Sequence, residues 1–363
     1  MSASRSLILG IVFLLGLSGA TGIRSASQAA PATPGDSGSA AIAIVATGLV
    51  NPRGFTSGPD GELIVALGGA GGDSAGIVVV GDDACPIPLV EGLRSTRVAF
   101  GAYSGVADVA FLDGRRYALI SGGNIDGDEL ANGLYAVESD GELTLLADIS
   151  GFIRDNPVAD VPGDYDTDGQ PYALRPVDDG FLVTEGNSNQ LLHVTPDGAV
   201  RRVADLSAGH PIPTGLAIGS EGEIYVGFLT PAPYPEGGAT VVRVEPDGTQ
   251  QEVWTGLSLI TALAIGPQGD LYALELATGH GDDPSAIGPG TGRVVRQTGP
   301  GDAEPVVTGL NLPTAMRFAP DGALLIGGPT VGADDGEGTI IRVTLPATGA
   351  VEVPDDLAIP ACA

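Results

Sequence analysis

The feature that most constrains this chain is a hairpin pattern that recurs along it. The stretch "GFTSGPDGELIVALGG" (54–69) has the pattern of a strand, a tight turn and a second strand, and similar stretches begin at 215, 262 and 315. Pro and Gly in "PDG" favour a tight turn, and apolar residues alternate with small or polar ones on both sides. The pattern predicts a chain built from antiparallel hairpins.

The hairpins form two interleaved series. Turns of the first series recur every 42–66 residues, at Asp60-Gly61, Asp113-Gly114, Asp179-Gly180, Glu221-Gly222, Gln268-Gly269 and Asp321-Gly322. A second series lies between them, at 135–141, 193–198, 243–248 and 296–301. Each unit therefore holds two hairpins, or four strands. Six such units predict an all-β fold, a six-bladed β-propeller of four-stranded antiparallel blades over residues 42–346.

The N-terminal strand is predicted to close the ring. The segment "AIVATGL" (43–49) resembles the outer strand that ends the other units, but no blade precedes it. We expect it to be the outer strand of blade six, which would protect the sheet edges. The segment "AVEV" (350–353) is a rival for that place. Five equivalent positions along the chain favour the N-terminal strand.

The two ends of the chain have compositions unlike the repeats. Residues 1–29 contain Arg5, the apolar run "LILGIVFLLGLSG" and small residues at the exit, which together predict a secretory signal peptide. The run is too short to favour a membrane span, although an uncleaved anchor is the alternative. Residues 30–41 are predicted to be a flexible spacer and 347–363 a C-terminal tail. We expect a secreted or periplasmic protein with no membrane association after cleavage.

Charge excludes several classes of function. The chain has 45 acidic and 16 basic residues, a net charge of −29, and all of its basic residues are arginine. Such a charge argues against binding to nucleic acid or to anionic membranes. The absence of lysine excludes chemistry through a lysine Schiff base. We expect a monomer whose partner is a small molecule or a protein.

The two cysteines are predicted to form a disulfide bond. Cys85 begins the outer strand of blade one, and Cys362 is the penultimate residue of the tail that leaves blade six. These blades are neighbours once the ring closes, so the tail can reach across. Export permits oxidation. Two free thiols are the alternative.

Polar side chains at the starts of inner strands and the ends of second strands are predicted to converge on the central channel. Residues from different blades could form a cradle for a ligand there. A water-filled channel would show the same polar ring. The candidate ligand-binding residues are Arg53, Asp108, Tyr172, Glu185, Asn187, Thr214, Thr261, Glu275 and Thr314.

An acidic segment is a candidate Ca²⁺ site. In "GDYDTDGQPY" (163–172), Asp164, Asp166 and Asp168 alternate and Gly169 follows, as at the start of an oxygen-ligand calcium loop. Arg175 stands where such a loop has its bidentate glutamate. The segment is therefore either a Ca²⁺ site or an acidic loop, and Ca²⁺ is the only cofactor that the sequence suggests.

The three histidines lie in different kinds of segment, so a three-histidine metal site is not expected. His193 occupies a strand position held by varied residues in other units, which predicts a structural, exposed side chain. His210 lies in a linker and His280 in a long loop. No serine stands in a strand-turn-helix elbow, and no catalytic residue is predicted.

Three stretches resemble the secreted six-bladed propellers of the ScyD/ScyE family, which have NHL-like repeats. They are "PTGLAIGSEGEIYVGFLTPAPYPEGGATVVRVEPDG" (213–248), "TGLSLITALAIGPQGDLYALEL" (255–276) and "TGLVNPRGFTSGPDGELIVA" (47–66). The resemblance covers roughly residues 44–345 and implies an exported propeller, with a possible link to secondary metabolism. We expect a non-catalytic binding or scaffold module. A Ca²⁺-dependent propeller hydrolase, such as a gluconolactonase-like lactonase, is the alternative, and whether the protein is an enzyme stays open.

Overall fold

The structure is a computed structural model that describes residues 42–98, 101–123, 130–164, 166, 168–278, 287–355 and 357–362. The predicted signal peptide (1–29), the spacer (30–41) and His280 lie outside the described residues.

The regular secondary structure of the described chain is almost entirely β-strand. The first half contains β1 (Ile42–Leu49), β2 (Pro52–Ser57), β3 (Leu63–Leu67), β4 (Gly72–Val80), β5 (Pro86–Arg97), β6 (Tyr103–Ser104), β7 (Val106–Leu112), β8 (Arg115–Ile120), β9 (Gly133–Val137), β10 (Leu143–Asp148), α1 (Ile149–Asp155), β11 (Pro171–Val177), β12 (Gly180–Glu185) and β13 (Gln190–Val194). The second half contains β14 (Val200–Asp205), β15 (Pro213–Ile218), β16 (Ile224–Phe228), β17 (Ala239–Val244), β18 (Gln250–Leu257), β19 (Ile260–Ile265), β20 (Leu271–Glu275), β21 (Gly292–Gly299), β22 (Asp302–Leu310), β23 (Ala315–Phe318), β24 (Leu324–Gly328), β25 (Gly338–Val343) and β26 (Val351–Glu352).

These strands form the six predicted antiparallel blades. From the inner to the outer strand, the blades are β2-β3-β4-β5, β7-β8-β9-β10, β11-β12-β13-β14, β15-β16-β17-β18, β19-β20-β21-β22 and β23-β24-β25-β1. The short strand β6 extends blade one, and β26 extends blade five. The six-bladed fold predicted from the repeated turns is confirmed.

The N-terminal strand closes blade six, as predicted. β1 pairs antiparallel with β25, with Ile42 opposite Val343 and Leu49 opposite Gly338. Leu49 is fully buried between blades six and one, so closure also buries apolar surface. The rival segment pairs elsewhere, because Val351 of β26 lies parallel to the outer strand of blade five.

The hydrophobic core is divided among the blade interfaces. Six clusters of buried side chains each join two neighbouring blades around the ring. Trp254, for example, is fully buried between blades four and five. Because the faces of neighbouring sheets pack on each other, both faces of a blade are apolar, and polar side chains are left for the channel and the outer rim.

The C-terminal tail crosses three blades and ends in the predicted disulfide bond. It leaves blade six, pairs through β26 with blade five and then passes β1, where the Thr47 hydroxyl donates to the Pro360 carbonyl over 3.1 Å. Cys362 is bonded to Cys85 of blade one, with Cα atoms 5.7 Å apart. The path is longer than the single gap between blades expected from the sequence, because the tail first returns to blade five.

The helix α1 lies between blades two and three. Its N-cap is Asp148, whose carboxylate accepts a hydrogen bond from the Gly151 amide at 2.7 Å. Ile149 and Ile153 are buried in the core between those blades. Within the described ranges, the structure has no helix long and apolar enough to cross a membrane.

Candidate functional site

Bulges at the starts of the inner strands bring side chains to the channel. In blades three, four and five, the register with the second strand shifts around Tyr172, Thr214 and Thr261 respectively, which leaves these residues outside the paired ladder. A β-bulge bends its strand and redirects the side chain of the extra residue. Arg53 occupies the same kind of register shift in blade one. In these four blades, the repeated bulge places one variable side chain on the channel.

Three threonines at the starts of inner strands, Thr214, Thr261 and Thr314, join neighbouring blades. The hydroxyl of Thr261 donates to the Pro313 carbonyl of the next blade at 3.1 Å, and that of Thr314 donates to the Pro52 carbonyl at 3.0 Å. Thr214 makes the equivalent bond to blade five. Because these hydroxyls already donate to backbone, they keep only acceptor lone pairs for a ligand. Their main role is to hold blades four, five, six and one together.

A buried ion cluster closes the lower part of the channel. Asp108 of blade two accepts from Arg175 Nη1 at 2.8 Å and lies 3.4 Å from Arg317 Nη2 of blade six. The Asp108 carboxylate also accepts from the Leu174 and Val109 amides at 3.0 and 2.9 Å. Two guanidinium groups thus share one carboxylate that is itself almost completely buried.

The neighbouring blade is shaped to accommodate this carboxylate. A Cβ atom on Gly54 would stand 2.0 Å from Asp108 Oδ1 and 2.8 Å from Asp108 Cα. Glycine at 54 is therefore required by the close approach of blade two.

Burial and then the nearby Arg175 lower the pKa of Arg317 to about 10, so its guanidinium still carries a full charge at neutral pH.

Arg53 and Tyr172 form a second layer above the ion cluster. The guanidinium carbon of Arg53 lies 5.0 Å from the centre of the Tyr172 ring, so blades one and three interact across the channel. Arg53 Nη1 also lies 3.3 Å from the Thr330 hydroxyl. Burial raises the pKa of Tyr172, with Asp108 adding to the rise and Arg53 opposing it, so the phenol remains neutral.

A cavity of about 370 Å³ lies on this second layer. Its volume is within the range of small-molecule sites. Blades one, three and four supply most of its wall, including the β5–β6 extension of blade one and the loop that carries Tyr234 in blade four. The lining side chains are Arg53, Thr96, Arg97, Val98, Ala102, Asp164, Asp166, Gln170, Tyr172, Asn187, His210, Ile212, Thr214, Leu229, Tyr234, Thr261, Leu276, Thr314 and Thr330.

Six of the nine predicted ligand residues line this cavity, and three lie elsewhere. Asp108 belongs to the ion cluster below. The Glu185 carboxylate accepts from the Gln170 amide at 2.6 Å and from the Ser188 amide at 2.7 Å, which stabilises the turn after β12. Glu275 accepts from the Ser258 amide at 2.6 Å and is paired with Arg293. Both glutamates are fully buried and hold loops in place.

The three aspartates of the predicted Ca²⁺ loop have separate partners. Asp164 Oδ1 lies 3.0 Å from His210 Nε2, Asp166 Oδ1 accepts from the Asp168 amide at 2.9 Å, and the Asp168 carboxylate pairs with Arg154 at 3.0 Å. Across the described part of the chain, no three His, Cys, Asp or Glu side chains are grouped so that they could hold a metal ion. A Ca²⁺ site at this loop stays a prediction.

The structure places two histidines in environments that the sequence did not predict. His193 is buried, with Nε2 2.8 Å from Asp179 Oδ1, so the expectation of an exposed side chain was wrong. Hydrogen bonding from His193 is the main cause that lowers the pKa of Asp179. His210 lines the cavity, and its Nδ1 accepts from Asn189 Nδ2 at 2.6 Å, because Asn189 Oδ1 is occupied by the Ile212 amide. The only feature of the sequence around His210 was the turn composition of "GHPIP", which does not indicate a position at the cavity.

Comparison with known proteins supports the fold. No protein-family model matches the sequence, and no curated protein matches it. Among solved structures, the chain is similar to a protein of Thermus thermophilus described as a glucose dehydrogenase-type oxidoreductase, with 17% identity, a TM-score of 0.60, and coverage of 84% of this chain and 100% of that one.

Two further solved structures have a similar fold. One is a gluconolactonase of Xanthomonas campestris, with 13% identity, a TM-score of 0.54, and coverage of 85% of this chain and 90% of that one. The other is the calcium-binding protein regucalcin of Agrobacterium tumefaciens, with 14% identity, a TM-score of 0.54, and coverage of 83% and 92%. At these identities the likeness defines the class of protein, a six-bladed β-propeller, and not its activity.

Proposed function

We propose that the protein is an exported propeller of the ScyD/ScyE type that binds a small molecule in the cavity above Arg53 and Tyr172. The observation that carries the proposal is the cavity itself, of about 370 Å³, which rests on a closed channel and has both polar and apolar lining residues. The most specific part of the family resemblance, residues 213–248, contributes Thr214, Leu229 and Tyr234 to its wall.

Export and the monomeric state belong to the same proposal. The N-terminal segment has the composition of a secretory signal, and the Cys85–Cys362 bond is compatible with an oxidising compartment. Closure by β1 pairs the outer edge of blade six, which leaves less free sheet edge for association between copies. A single chain with a ligand, or with a protein docked at the cavity, is the unit that we expect to function.

The cavity can be tested by filling it. Gly186 lines the cavity, and a Cβ atom there would make ordinary contacts, the nearest at 3.5 Å. Gly186→Leu should therefore fold but occupy part of the cavity. We expect the wild-type protein to retain compounds from a metabolite extract, detected by mass spectrometry, that Gly186→Leu retains at least tenfold less.

Gly163→Leu is the matched control for that experiment. A Cβ atom at Gly163 would have no neighbour within 4 Å, and the residue does not line the cavity. This control should retain the same compounds as the wild-type protein. Equal retention by all three proteins would contradict binding in the cavity.

The alternative is a Ca²⁺-dependent lactonase. Such an enzyme needs carboxylate and amide oxygens that converge on one ion. The described residues do not provide that set. The Glu185 carboxylate is occupied by the amide and hydroxyl of Ser188, and the Glu275 carboxylate by Arg293. The Asp164 carboxylate lies beside His210. These contacts favour binding over calcium-dependent hydrolysis.

Calcium addition gives a direct test of the alternative. If Asp164, Asp166 and Asp168 ligate Ca²⁺, millimolar Ca²⁺ should raise the melting temperature, and Asp166→Asn should abolish the rise. On the contacts described above, we expect no rise and no Ca²⁺-dependent hydrolysis of an aldonolactone. A rise that Asp166→Asn removes, together with such hydrolysis, would replace the binding proposal with the lactonase.

A further inference from the structure

Among the described residues, Arg53 is a buried cation without an acidic partner. Only 7% of its surface is exposed, and in the described chain its polar contact is the neutral Thr330 hydroxyl at 3.3 Å. Its other contact is the ring of Tyr172, which remains neutral. Burying an arginine is costly unless a counter-charge or strong hydrogen bonds compensate it. Arg53 lines the cavity, so a group bound there could supply that counter-charge.

The layer below adds to the positive charge. Arg175 and Arg317 share the single carboxylate of Asp108. A small void of about 20 Å³ lies between the two layers and is lined by all three arginines and by Asp108. Counting the described residues, the floor of the cavity therefore carries three positive charges and one negative charge. This is a local excess of cations in a chain whose net charge is −29.

The rim of the cavity carries a smaller net charge of the opposite sign. Asp164, Asp166 and the exposed Arg97 all line the cavity, so these three side chains sum to one negative charge. A ligand with several negative charges would be repelled there, whereas a single acidic group at the floor would not. Part of the wall between floor and rim is apolar or aromatic, formed by Ile212, Leu229, Leu276, Tyr172 and Tyr234. Threonines, Gln170 and Asn187 also line the cavity.

We propose that the ligand of this cavity is a monoanionic organic acid, with its carboxylate on Arg53 and an apolar or aromatic body against the wall. The inference rests on the proposed binding function and names the class of ligand. A carboxylate matches the two parallel N–H groups of a guanidinium, and the pair strengthens where water is excluded. The stacked Tyr172 ring holds the guanidinium plane in place for such a pair.

Matched acid and amide pairs test the ligand class. The probes are benzoate with benzamide, cinnamate with cinnamamide, and indole-3-acetate with indole-3-acetamide, measured by titration calorimetry on the purified protein. We expect at least one acid to bind at least tenfold more tightly than its amide. Arg53→Met should weaken binding of that acid about ten- to hundredfold and leave the amide almost unchanged. Arg53→Lys should keep the preference for the acid with reduced affinity.

Arg115→Met is the control, because Arg115 is an exposed arginine on blade two, paired with Glu138 outside the cavity. It should change the affinities less than twofold. Arg53→Met removes a buried charge that has no acidic partner in the part of the chain that the structure describes, so its melting temperature should not fall. If this variant does not fold, Arg53→Lys carries the comparison.

Each contrary result has a separate meaning. Equal binding of acids and amides would overturn the ligand class and leave the binding function standing. Tighter binding of phenyl phosphate than of benzoate would overturn the limit to one negative charge. Binding of none of the six probes at millimolar concentration, with no compound retained from the extract, would overturn both proposals.

Discussion

Replacing Cys362 with serine is expected to lower the free energy of unfolding by about 3–5 kcal/mol, one of the two largest effects expected of any single substitution in this chain. The bond joins residues 277 positions apart, and the chain-entropy model gives about 5 kcal/mol for a loop of that size. Strain and residual structure in the unfolded chain reduce this value. The melting temperature should fall by about 10 °C, as measured by calorimetry.

The position of the bond explains why its loss should destabilise the closure of the ring. The tail that ends at Cys362 covers β1, the strand that closes blade six, and Thr47 of β1 contacts both the tail and the blade-one turn, through Pro360 and Ala84. Without the bond, the tail and β1 can separate from blade one together. Limited proteolysis should therefore cut the variant within 353–361 faster than the wild-type protein.

Three comparisons identify the cause of that change. Cys85→Ser and the double variant should be as destabilised as Cys362→Ser, because all three lack the same bond. Reduction of the wild-type protein should have the same effect. Asp355→Asn, an exposed change in the same tail, should have none. A Cys362→Ser variant as stable as Asp355→Asn would show that closure by β1 alone holds the ring.

The sequence predicted the features that recur or that depend on chain ends. The turn residues, the closing strand and the cysteine pair each have a local signal: a Gly turn, an unmatched outer strand, or two cysteines in a chain predicted to be exported. Arg53, Tyr172, Thr214, Thr261 and Thr314 could be predicted for the channel because one repeat position holds them all. Because each repeat forms one blade, residues at the same repeat position are expected to lie at equivalent places around the ring.

The partners of isolated charged side chains could not be predicted in this way. Glu185 and Glu275 were predicted to bind a ligand, but their carboxylates are already occupied by loop amides and, for Glu275, by Arg293. His193 is buried because Asp179, on the preceding turn, reaches its Nε2. The partner of an isolated charge depends on the lateral packing of strands, which repeats in one sequence do not encode.

The tail and the cavity wall show the same limit. Residues 350–353 had the pattern of an outer strand, yet the choice between blades five and six depends on which edge is free once β1 has paired. The cavity wall comes from insertions between repeats, such as the segments that hold His210 and Tyr234. Insertions have no equivalent in the other units, so repetition gives no information about their positions.

Asp108→Asn is expected to be the other severe substitution, with a loss of about 3–5 kcal/mol in the free energy of unfolding. The variant would leave the charges of Arg175 and Arg317 in the channel without a carboxylate, and removal of one partner from a buried ion pair typically costs this much. Urea unfolding measures the loss. Asp113→Asn, the same change on an exposed turn of the same blade, is the matched control and should be almost neutral, since asparagine tolerates the left-handed backbone there.

A second substitution separates charge from shape in that experiment. Arg317→Met removes one of the two arginines, so in the Asp108→Asn background it should restore part of the lost stability, whereas in the wild-type background it should destabilise. The Asp108→Asn variant should also bind the preferred organic acid more tightly at low salt, because the described lining of the cavity floor loses the negative charge of Asp108. Asp108→Asn should therefore lower the free energy of unfolding and raise the affinity for the acid. These opposite effects are expected only if the charges in the channel act on both quantities. An Asp108→Asn protein as stable as Asp113→Asn would mean that water already compensates the two arginines, and the excess positive charge assigned to the cavity floor would then be screened.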